Sequence, residues 1–266
     1  MAAKQKSFIK IQGTVGDLTF YQKDGTHFLK TKSSISKEKI QSDPNFLRTR
    51  ENNQEFAGSA KIAKGLRDGF NDFKKMVDSN VTGRAVKMCN DILKRDAIGL
   101  RGKRSFLPVP NKDLIKAFAF SKNISFDSIF SVPFAATVNT DRNAVSITIQ
   151  DFNAANAVSG PSGATHFKLI NLLSVWSSYT YNDNNKSYEA TDAVNNSKNV
   201  ASSSGYLALD ASVGSTTIIA SNLNGAPVLP TDSALLSYIG IEFYQKVNND
   251  YYLLASGNAM KIQDVF

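Results

Sequence analysis

The longest helical pattern in this sequence runs from Asp43 to about Arg104, and the rest of the chain must be arranged around it. Asp43 suits an N-cap, and Pro44 suits the first helical position because its missing N–H is not needed there. Cap-forming residues at 78–80 interrupt the pattern, and a pair of glycines near residue 100 follows its last turn. The sequence therefore predicts two consecutive helices, hairpinned or kinked at residues 78–80.

Apolar residues recur three or four positions apart in both helices, which is the spacing of one buried stripe. They are Phe46, Phe56, Ile62, Leu66, Phe70, Phe73 and Val77 in the first helix, and Ala85, Met88, Cys89, Ile92 and Leu93 in the second. Cys89 is the only cysteine, so it predicts a buried structural thiol and excludes a disulfide within the chain. With 266 residues, of which 42% are hydrophobic, the chain can bury the core of one large or two modest domains.

Positive charge is concentrated in the helical half of the chain. Up to residue 120 there are 24 Lys and Arg against 12 Asp and Glu, and beyond it 7 against 11, so the two parts carry +12 and −4. Three interpretations stay open: the basic side chains form the solvated face of the helices, contact the acidic surface of a neighbouring copy, or bind nucleic-acid phosphates. The candidate contacts to an acidic partner or polyanion are Arg48, Arg50, Lys61, Lys64, Arg67, Arg101, Lys103 and Arg104.

A β-hairpin arm over residues 1–31 precedes the helices, with a polar linker at 32–42. Residues 18–21 and 27–30 are strand-like, and Asp24-Gly25 between them is a strong turn signal because glycine accepts positive φ without strain. A further short strand is expected from Ser7 to Ile11. An isolated hairpin is only marginally stable in water, so we expect this one to dock on its own β domain or on a neighbouring copy. The candidate interface side chains are Leu18, Phe20 and Phe28.

Two segments of this N-terminal part carry a resemblance to known sequences. They are GTVGDLTFY at residues 13–21 and DPNFLRTRENNQEF at residues 43–56. Both resemble a group of uncharacterised conserved proteins of Bacteroidota, which is similar through the N-terminal third and the helical region and more loosely in the β-rich C-terminal half. The resemblance implies no activity and no site residues, because the group has no assigned function.

The remaining region, residues 105–266, is expected to be β-rich. Apolar residues alternate with a period of two from about Ile115, first through Phe118 and Phe126 and then through Val145 and Ile149. Residues 165–176 predict a long central strand, and residues 239–254 predict a second hairpin around Asn248-Asn249-Asp250. The polar segments 182–186 and 192–204 predict exposed loops. The fold class is therefore α+β, with an N-terminal hairpin, a basic helical pair over 43–104 and a C-terminal antiparallel β-sandwich or partly closed barrel.

Residue types for catalysis or metal binding are sparse. Two histidines and one cysteine leave almost no ligands for a closed zinc or iron site, and the HExxH, HxxxH and CxxC motifs are absent. His27 and His166 have no nucleophile signature nearby, so surface or packing roles are expected. Residues 34–37 match S-x-x-K but lack its companion motifs, and no phosphate-binding glycine loop is present. We predict no catalytic residue, no metal and no cofactor.

Together these features predict a non-enzymatic structural protein whose partners are copies of itself. It would assemble into a ring, tube, filament or shell, such as a virion, tail-like or other phage-derived component. The first alternative is a cytoplasmic, sequence-independent nucleic-acid-binding protein. The second is a carbohydrate- or ligand-binding β-sandwich with Trp176, Tyr179 and Tyr181 as its platform. The N-terminal residues lack the apolar core of a signal peptide, and no run reaches the ~18 apolar residues of a membrane span, so the expected location is the cytoplasm or an assembled particle.

Overall fold

The computed structural model describes residues 2–6, 8–32, 35–214 and 217–266, without the side chains of Ala2 and Thr217. The chain divides into two compact units, unit 1 (Met1–Arg50) and unit 2 (Glu51–Phe266). Both helices and antiparallel sheets are present, so the α+β class is confirmed.

Unit 1 is a four-stranded antiparallel sheet followed by one short helix. Its elements are β1 (Ala2–Lys4), β2 (Gly13–Val15), β3 (Leu18–Lys23), β4 (Thr26–Thr31) and α1 (Lys37–Ser42), with strand order β1-β4-β3-β2. The predicted hairpin is confirmed as β3 and β4. Asp24 and Gly25, the two residues of its turn, have φ values of 49° and 74°, as a primed hairpin turn requires. Helix α1 occupies part of the segment that the sequence presents as a polar linker.

The strand predicted over Ser7–Ile11 is wrong for its described residues, and Ser7 itself lies outside them. Residues 8–11 are irregular, and Phe8 is 94% exposed. The Gln5 side chain accepts a hydrogen bond from the Ile11 N–H and donates one to the Ile11 carbonyl oxygen. These bonds use the backbone groups of Ile11 that a neighbouring strand would need, so pairing begins only at Gly13.

The predicted helical pair is confirmed as α2 (Leu47–Gly69) and α3 (Val81–Arg95), and α3 begins directly after the break predicted at residues 78–80, but α2 ends at Gly69, short of the predicted end at Val77. A 3₁₀ turn over Pro44–Phe46 leads into α2, and the Asp43 side chain accepts a hydrogen bond from the Asn45 N–H, as expected of an N-cap. A second 3₁₀ segment, Asn71–Met76, precedes the break.

One member of the predicted apolar stripe is misplaced. Phe56 is 61% exposed, whereas Glu55, Gly58 and Ser59 are buried beside Ile62. Small residues at 58 and 59 let the helix approach the strands closely, and this rotates Phe56 away from the core.

Unit 2 continues with three short helices and thirteen strands among its described residues. The helices are α4 (Lys112–Lys116), α5 (Phe126–Ile129) and α6 (Ala154–Ala157). The strands are β5 (Phe134–Val138), β6 (Ala144–Ile149), β7 (Phe152–Asn153), β8 (His166–Trp176), β9 (Tyr179–Asn182), β10 (Ser187–Ala190), β11 (Asn199–Ser203), β12 (Leu207–Ala208), β13 (Ser212–Val213), β14 (Thr217–Asn222), β15 (Ala234–Val247), β16 (Asp250–Leu253) and β17 (Ala259–Val265).

The strand alternation predicted from Phe118 to Phe126 is wrong. Residues 118–125 form no strand, and α5 begins at Phe126. The Arg84 guanidinium donates to the carbonyl oxygens of Ala119 and Phe120, so a helix side chain takes the place of a neighbouring strand. Here the period of two reflects aromatic rings packed against one another in an irregular segment.

The main sheet has the order β11-β8-β15-β16, with β12 also paired to β8 and β17 to β15. The predicted central strand is β8, and it pairs with β15 along its full length from His166 to Trp176. The predicted second hairpin is β15–β16. The exposed turn predicted at 182–186 lies between β9 and β10, but residues 199–203 of the predicted loop 192–204 form strand β11. Polar composition does not exclude an edge strand, because only one side of such a strand needs a partner.

Both faces of the main sheet are covered. Ile170, Leu172 and Trp176 of β8 join the core formed with α2 and α3. Leu169 of the same strand joins the core formed with the second sheet, which has the order β14-β6-β5. Buried Asn171 donates from its amide to carbonyl oxygens of β6 and β14 and so links the two sheets. The C-terminal part is thus a sandwich with helices on its outer face.

Candidate functional site

The sheet of unit 1 divides the predicted interface residues between its two faces. In the β3–β4 pairing, Phe20 lies opposite Leu29 and Tyr21 lies opposite Phe28. Because side chains alternate along a strand, Leu18 and Phe20 share one face with Leu29, and Phe28 lies on the other. Leu18 and Phe20 are therefore brought together, whereas Phe28 is separated from them.

The first face, formed by Val15, Leu18, Phe20 and Leu29, is termed the apolar face. The pairing of β2 with β3 places Val15 directly opposite Leu18. Val15 is 66% exposed and Leu18 39% exposed, and the other two side chains are half-buried. The centre of this face carries no charge.

The second face, formed by Tyr21, Phe28, Lys4 and Lys30, is termed the aromatic face. The rings of Tyr21 and Phe28 are stacked with centroids 5.6 Å apart. The ammonium groups of Lys30 and Lys4 lie 5.6 Å and 5.9 Å from the Tyr21 and Phe28 centroids. Each ring therefore has a cation–π neighbour in its own sheet.

None of the described residues between 2 and 50 is buried. Apolar side chains lie on both faces of this sheet, yet no face is closed into a core. A sheet gains most of its stability by burying one face, so this sheet lacks the main stabilising contribution that a domain normally has.

Carboxylates neutralise three of the basic residues predicted to meet a polyanion. The Lys64 ammonium lies 2.6 Å from the Asp68 carboxylate, and Arg104 lies 3.5 Å from buried Glu55. Lys103 pairs with Asp183 and also lies over the Tyr181 ring.

Three more of these residues bond to uncharged groups of the chain. Arg50 donates to the carbonyl oxygens of Ile40 and Asp43. Lys61 donates to the Ser187 hydroxyl at 3.1 Å, and Arg67 donates to the Thr82 hydroxyl at 3.4 Å. Arg48 and Arg101 are exposed. Most of the predicted polyanion contacts therefore take part in interactions within the chain.

Asp96 organises the loop that follows α3. Its carboxylate accepts hydrogen bonds from the backbone N–H groups of Ile98, Gly99 and Ser105. Partial burial alone would raise the pKa of Asp96, but these three bonds and nearby Arg104 lower it below its ordinary value. Ile98 is 97% exposed, so this well-anchored loop displays an apolar side chain to solvent.

An open cleft of about 540 Å³ lies between α2 and the β9–β10 hairpin. Its lining includes the positive side chains of Lys61 and Lys64 and the negative side chains of Asp68 and Glu189. Burial raises the pKa of Tyr179, at the cleft wall, to about 12. Sequence reasoning missed this cleft because its two sides are more than a hundred residues apart in the chain.

The aromatic platform predicted at Trp176 and Tyr179 is wrong, because these side chains are only 0% and 4% exposed. Tyr181 is half-buried and receives a hydrogen bond from Gln54 at 2.7 Å. Trp176 is buried because its side chain packs between β8 and α2, where its indole N–H donates to the Ile62 carbonyl oxygen.

A different aromatic cluster lies on the main sheet. Tyr206 stacks on Tyr251 with centroids 3.7 Å apart, and the Lys168 ammonium lies 3.9 Å from the Tyr206 centroid. His166 contacts Tyr251 edge to face at 5.1 Å, which is the packing role expected for this histidine. The sequence could have indicated Tyr251 as a member of this cluster, because it lies beside the predicted hairpin turn. It could not have indicated Tyr206, which comes from a loop distant in the chain.

Three further properties concern the described residues. Within them, no group of three or more His, Cys, Asp and Glu side chains is placed to hold a metal ion. Cys89 is buried, and that burial raises the pKa of its thiol. None of the helices in this part of the chain is both long enough and apolar enough to cross a membrane.

Comparison with known proteins adds little to this geometry. No protein-family model matches the sequence, and neither does any curated protein. A crystal structure of a protein from Archaeoglobus fulgidus is similar at 9% sequence identity and a TM-score of 0.20, over 52% of this chain and 99% of that one. A likeness at this level carries no argument about fold or function.

Proposed function

We propose that this is a non-enzymatic structural protein that assembles with copies of itself into a ring, tube, filament or shell, with unit 1 as the arm that docks on a neighbour. The observation that carries this proposal is the sheet of unit 1, which has apolar side chains on both faces and no buried residue among those described. A sheet built in this way gains its missing burial by packing against another surface.

The chemistry of unit 1 suits a protein surface. Burying the apolar face would remove Val15, Leu18, Phe20 and Leu29 from water, at about 25 cal/mol per Å² of apolar surface. Among the described residues, no strand pairs with the outer sides of the edge strands β1 and β2, and these sides can extend a neighbour's sheet. Such contacts supply affinity without any catalytic group.

Charge is compatible with association between copies but does not separate it from nucleic-acid binding. The acidic C-terminal part of one copy is an attractive surface for the basic N-terminal part of another. The helical basic residues are mostly engaged within the chain, and an acidic surface or a phosphate backbone would equally have to compete for them.

The first test compares the full chain with a Phe20→Glu variant by size-exclusion chromatography with light scattering. We expect the full chain to form oligomers whose size rises with concentration, and the variant to shift strongly toward monomer because a carboxylate would be buried in the docked apolar face. Val228→Glu is the matched control, since Val228 is an apolar residue of unit 2 that is 76% exposed. This control should assemble normally.

A deletion of residues 1–31 addresses the same arm by a second route. We expect circular dichroism to show a folded unit 2 and light scattering to show a monomer. A full chain that stays monomeric at high concentration and near-physiological salt would contradict the proposal. If that monomer bound random-sequence DNA with a steep salt dependence, the nucleic-acid function would replace it.

A further inference from the structure

The strand β5 is the exposed edge of the second sheet in unit 2. It pairs with β6 on one side, in a register that places Ala135 opposite Thr148 and Thr137 opposite Ser146. No strand pairs with its other side among the described residues. This free side belongs to the sandwich domain and is distinct from the arm of unit 1.

The hydrogen-bond pattern identifies the backbone groups that face outward. The Asn139 N–H donates to the Ala144 carbonyl oxygen, so the N–H of Asn139 faces β6, and the Ala144 N–H donates to the Asn139 side-chain oxygen. In antiparallel pairing bonded and non-bonded residues alternate, so Ala135 and Thr137 bond inward to β6. The N–H and C=O groups of Phe134, Ala136 and Val138 therefore point to the free side.

Three other edge strands of unit 2 are protected in ways that β5 is not, whereas β14, the opposite edge of the same sheet, also lacks charge and proline. Strand β17 carries Lys261 and Asp264, which pair with Asp127 of α5 and Lys116 of α4. Strand β10 carries Glu189. Strand β11 is uncharged, but the Asn199 side chain on it donates to the backbone of α2. Charges and covering helices are the usual devices that keep edge strands from pairing.

The sequence of β5, Phe-Ala-Ala-Thr-Val, contains no charge, no proline and no bulge. Pro133 lies just before the strand and outside it. The side chains that leave the sheet on its solvent face, Ala135 and Thr137, are small and exposed. Small side chains thus flank the middle of this edge, while at its start the Phe134 ring packs against Phe126 with the Lys261 ammonium 5.3 Å from the Phe134 centroid.

We propose that β5 pairs antiparallel with β5 of a second copy of this chain, with Ala136 opposite Ala136 of that copy about a twofold axis. Each outward residue then exchanges two backbone hydrogen bonds with the residue opposite it in the other copy. The two three-stranded sheets become one continuous sheet. An isologous contact of this kind is self-complementary, because every group meets an equivalent group.

The length of the strand favours this occupant over the arm of unit 1. β5 has five residues, whereas the edge strands of unit 1, β1 and β2, have three each. Unlike β1 and β2, another β5 is long enough to partner all of its outward groups. β1 would also bring Lys4 to the edge, and no carboxylate is present in β5 to receive it.

Pairing of two five-residue strands buries less area than a standard stable interface, so the contact alone is weak. Its contribution to assembly increases when a second kind of contact also joins the copies. A twofold contact joins copies in pairs, and a head-to-tail contact through the arm would join the pairs into a larger assembly.

The register gives a direct cross-linking test. Ala135 of one copy would face Thr137 of the other in a non-bonded pair, at a separation within the range of a disulfide. Full-length Ala135→Cys and Thr137→Cys variants are mixed, oxidised with oxidised glutathione and run on a non-reducing gel. We expect a covalent dimer in the mixture and at least roughly tenfold less in either variant alone, because identical positions are diagonal neighbours about 7–8 Å apart. Buried Cys89 should not interfere.

The matched control is a mixture of Ala220→Cys and Thr137→Cys. Ala220 is exposed on the same sheet but on the far strand β14, so it should give no dimer. A mixture of Ala135→Cys with Thr14→Cys, which lies on β2, tests whether the arm of another copy pairs with β5, since that pairing would give a cross-linked dimer. A dimer from that mixture, or none from the Ala135 and Thr137 mixture, overturns the proposal.

Charge substitution supplies an independent measurement on the same positions. The double variant Ala135→Lys/Thr137→Lys places like charges opposite each other and should weaken dimerisation at least about tenfold. Ala135→Lys/Thr137→Glu places opposite charges there and should restore it in a salt-sensitive form. Equal association of both variants overturns the proposal.

The result is separable from the function proposed for unit 1. Cross-linking is repeated in the Phe20→Glu background, in which the arm contact is removed. Retention of the dimer with loss of larger oligomers supports both contacts. Loss of the dimer in this background alone contradicts an independent β5 edge.

Discussion

The sheet of unit 1 and the main sheet of unit 2 follow the same pairing rules but differ in how far their residues are buried. Both are antiparallel, and both carry apolar side chains on their two faces. In β8 the run from Leu169 to Trp176 is buried, because helices cover one face and the second sheet covers the other. In β3 and β4 no residue is buried. Hydrogen-bonded pairing alone therefore does not complete a domain, and burial of a face separates a core sheet from a docking element.

The largest expected effect comes from removing one aromatic ring from each unit. Phe106 is fully buried and its ring centroid lies 4.7 Å from that of Trp176. Phe106→Ala should lower the free energy of unfolding by about 3–5 kcal/mol through lost burial and a cavity. Phe20→Ala should cost about 1 kcal/mol or less in the monomer, because its ring is only half-buried. Urea unfolding followed by circular dichroism measures both.

A similar loss in the two variants would contradict the comparison, since it would mean that unit 1 has a core of its own. Trp176 is the only tryptophan, so its fluorescence reports the unfolding of unit 2 selectively. For Phe20→Ala we expect a fluorescence transition at the same urea concentration as in the unsubstituted chain.

A pair of helix glycines tests how closely α2 covers the strands of unit 2. A Cβ at Gly58 would collide with the ring of Tyr188, whereas a Cβ at Gly83 of α3 would meet no atom within 4 Å. Gly58→Ala should therefore lose about 1–3 kcal/mol through overpacking. Gly83→Ala should gain about 0.5–1 kcal/mol, because alanine is the better helix former. Thermal unfolding gives the sign of the stability change for each variant. Changes of the same sign would contradict the close approach of α2 to the strands.

Asp96 tests the anchoring of the loop after α3. Its Oδ1 accepts from Ile98 and Gly99, and its Oδ2 accepts from Ser105. In Asp96→Asn an amide N–H₂ would face one of these donors in either orientation, so we expect a loss of about 1–3 kcal/mol. Asp96→Glu, which keeps the charge but extends the side chain, separates charge from geometry in the same denaturation assay.

The lowered pKa of Asp96 gives this contribution a pH dependence. A carboxyl group whose pKa is lower in the folded state stabilises fully above its unfolded pKa, near pH 4, and the contribution disappears as the pH falls through the folded pKa. Between about pH 6 and pH 3 the unsubstituted chain should thus lose more stability than Asp96→Asn. Parallel stability curves for the two proteins would exclude a role for this carboxylate.

The smallest effect is expected at the solvated ion pairs of the helices. Lys64 and Asp68 are 65% and 46% exposed, and Lys87 with Asp91 repeats the same spacing on α3. Lys64→Ala and Lys87→Ala should each change stability by less than about 0.5 kcal/mol. A loss of oligomers in Lys64→Ala without loss of stability would instead assign this lysine to a contact between copies.

Local signals in the sequence were sufficient for several elements. Asp24-Gly25 predicted its hairpin because the turn needs positive φ at both positions, and Asp43 predicted a helix start because its side chain satisfies a free N–H. The long apolar run at residues 166–176 predicted a central strand. In each case the physical cause lies within a few residues of the signal.

The sequence by itself thus determined the start of the helical region near residue 43, the start of α3 after residues 78–80, the hairpin turns and the existence of a β-rich C-terminal half. Tertiary structure alone decided that Trp176 is core and not platform and that Phe56 faces solvent. It also decided that β5 has no strand on its outer side among the described residues. The reason is physical: φ/ψ preferences and caps act between neighbours in the chain, whereas burial and pairing depend on surfaces brought together from distant positions.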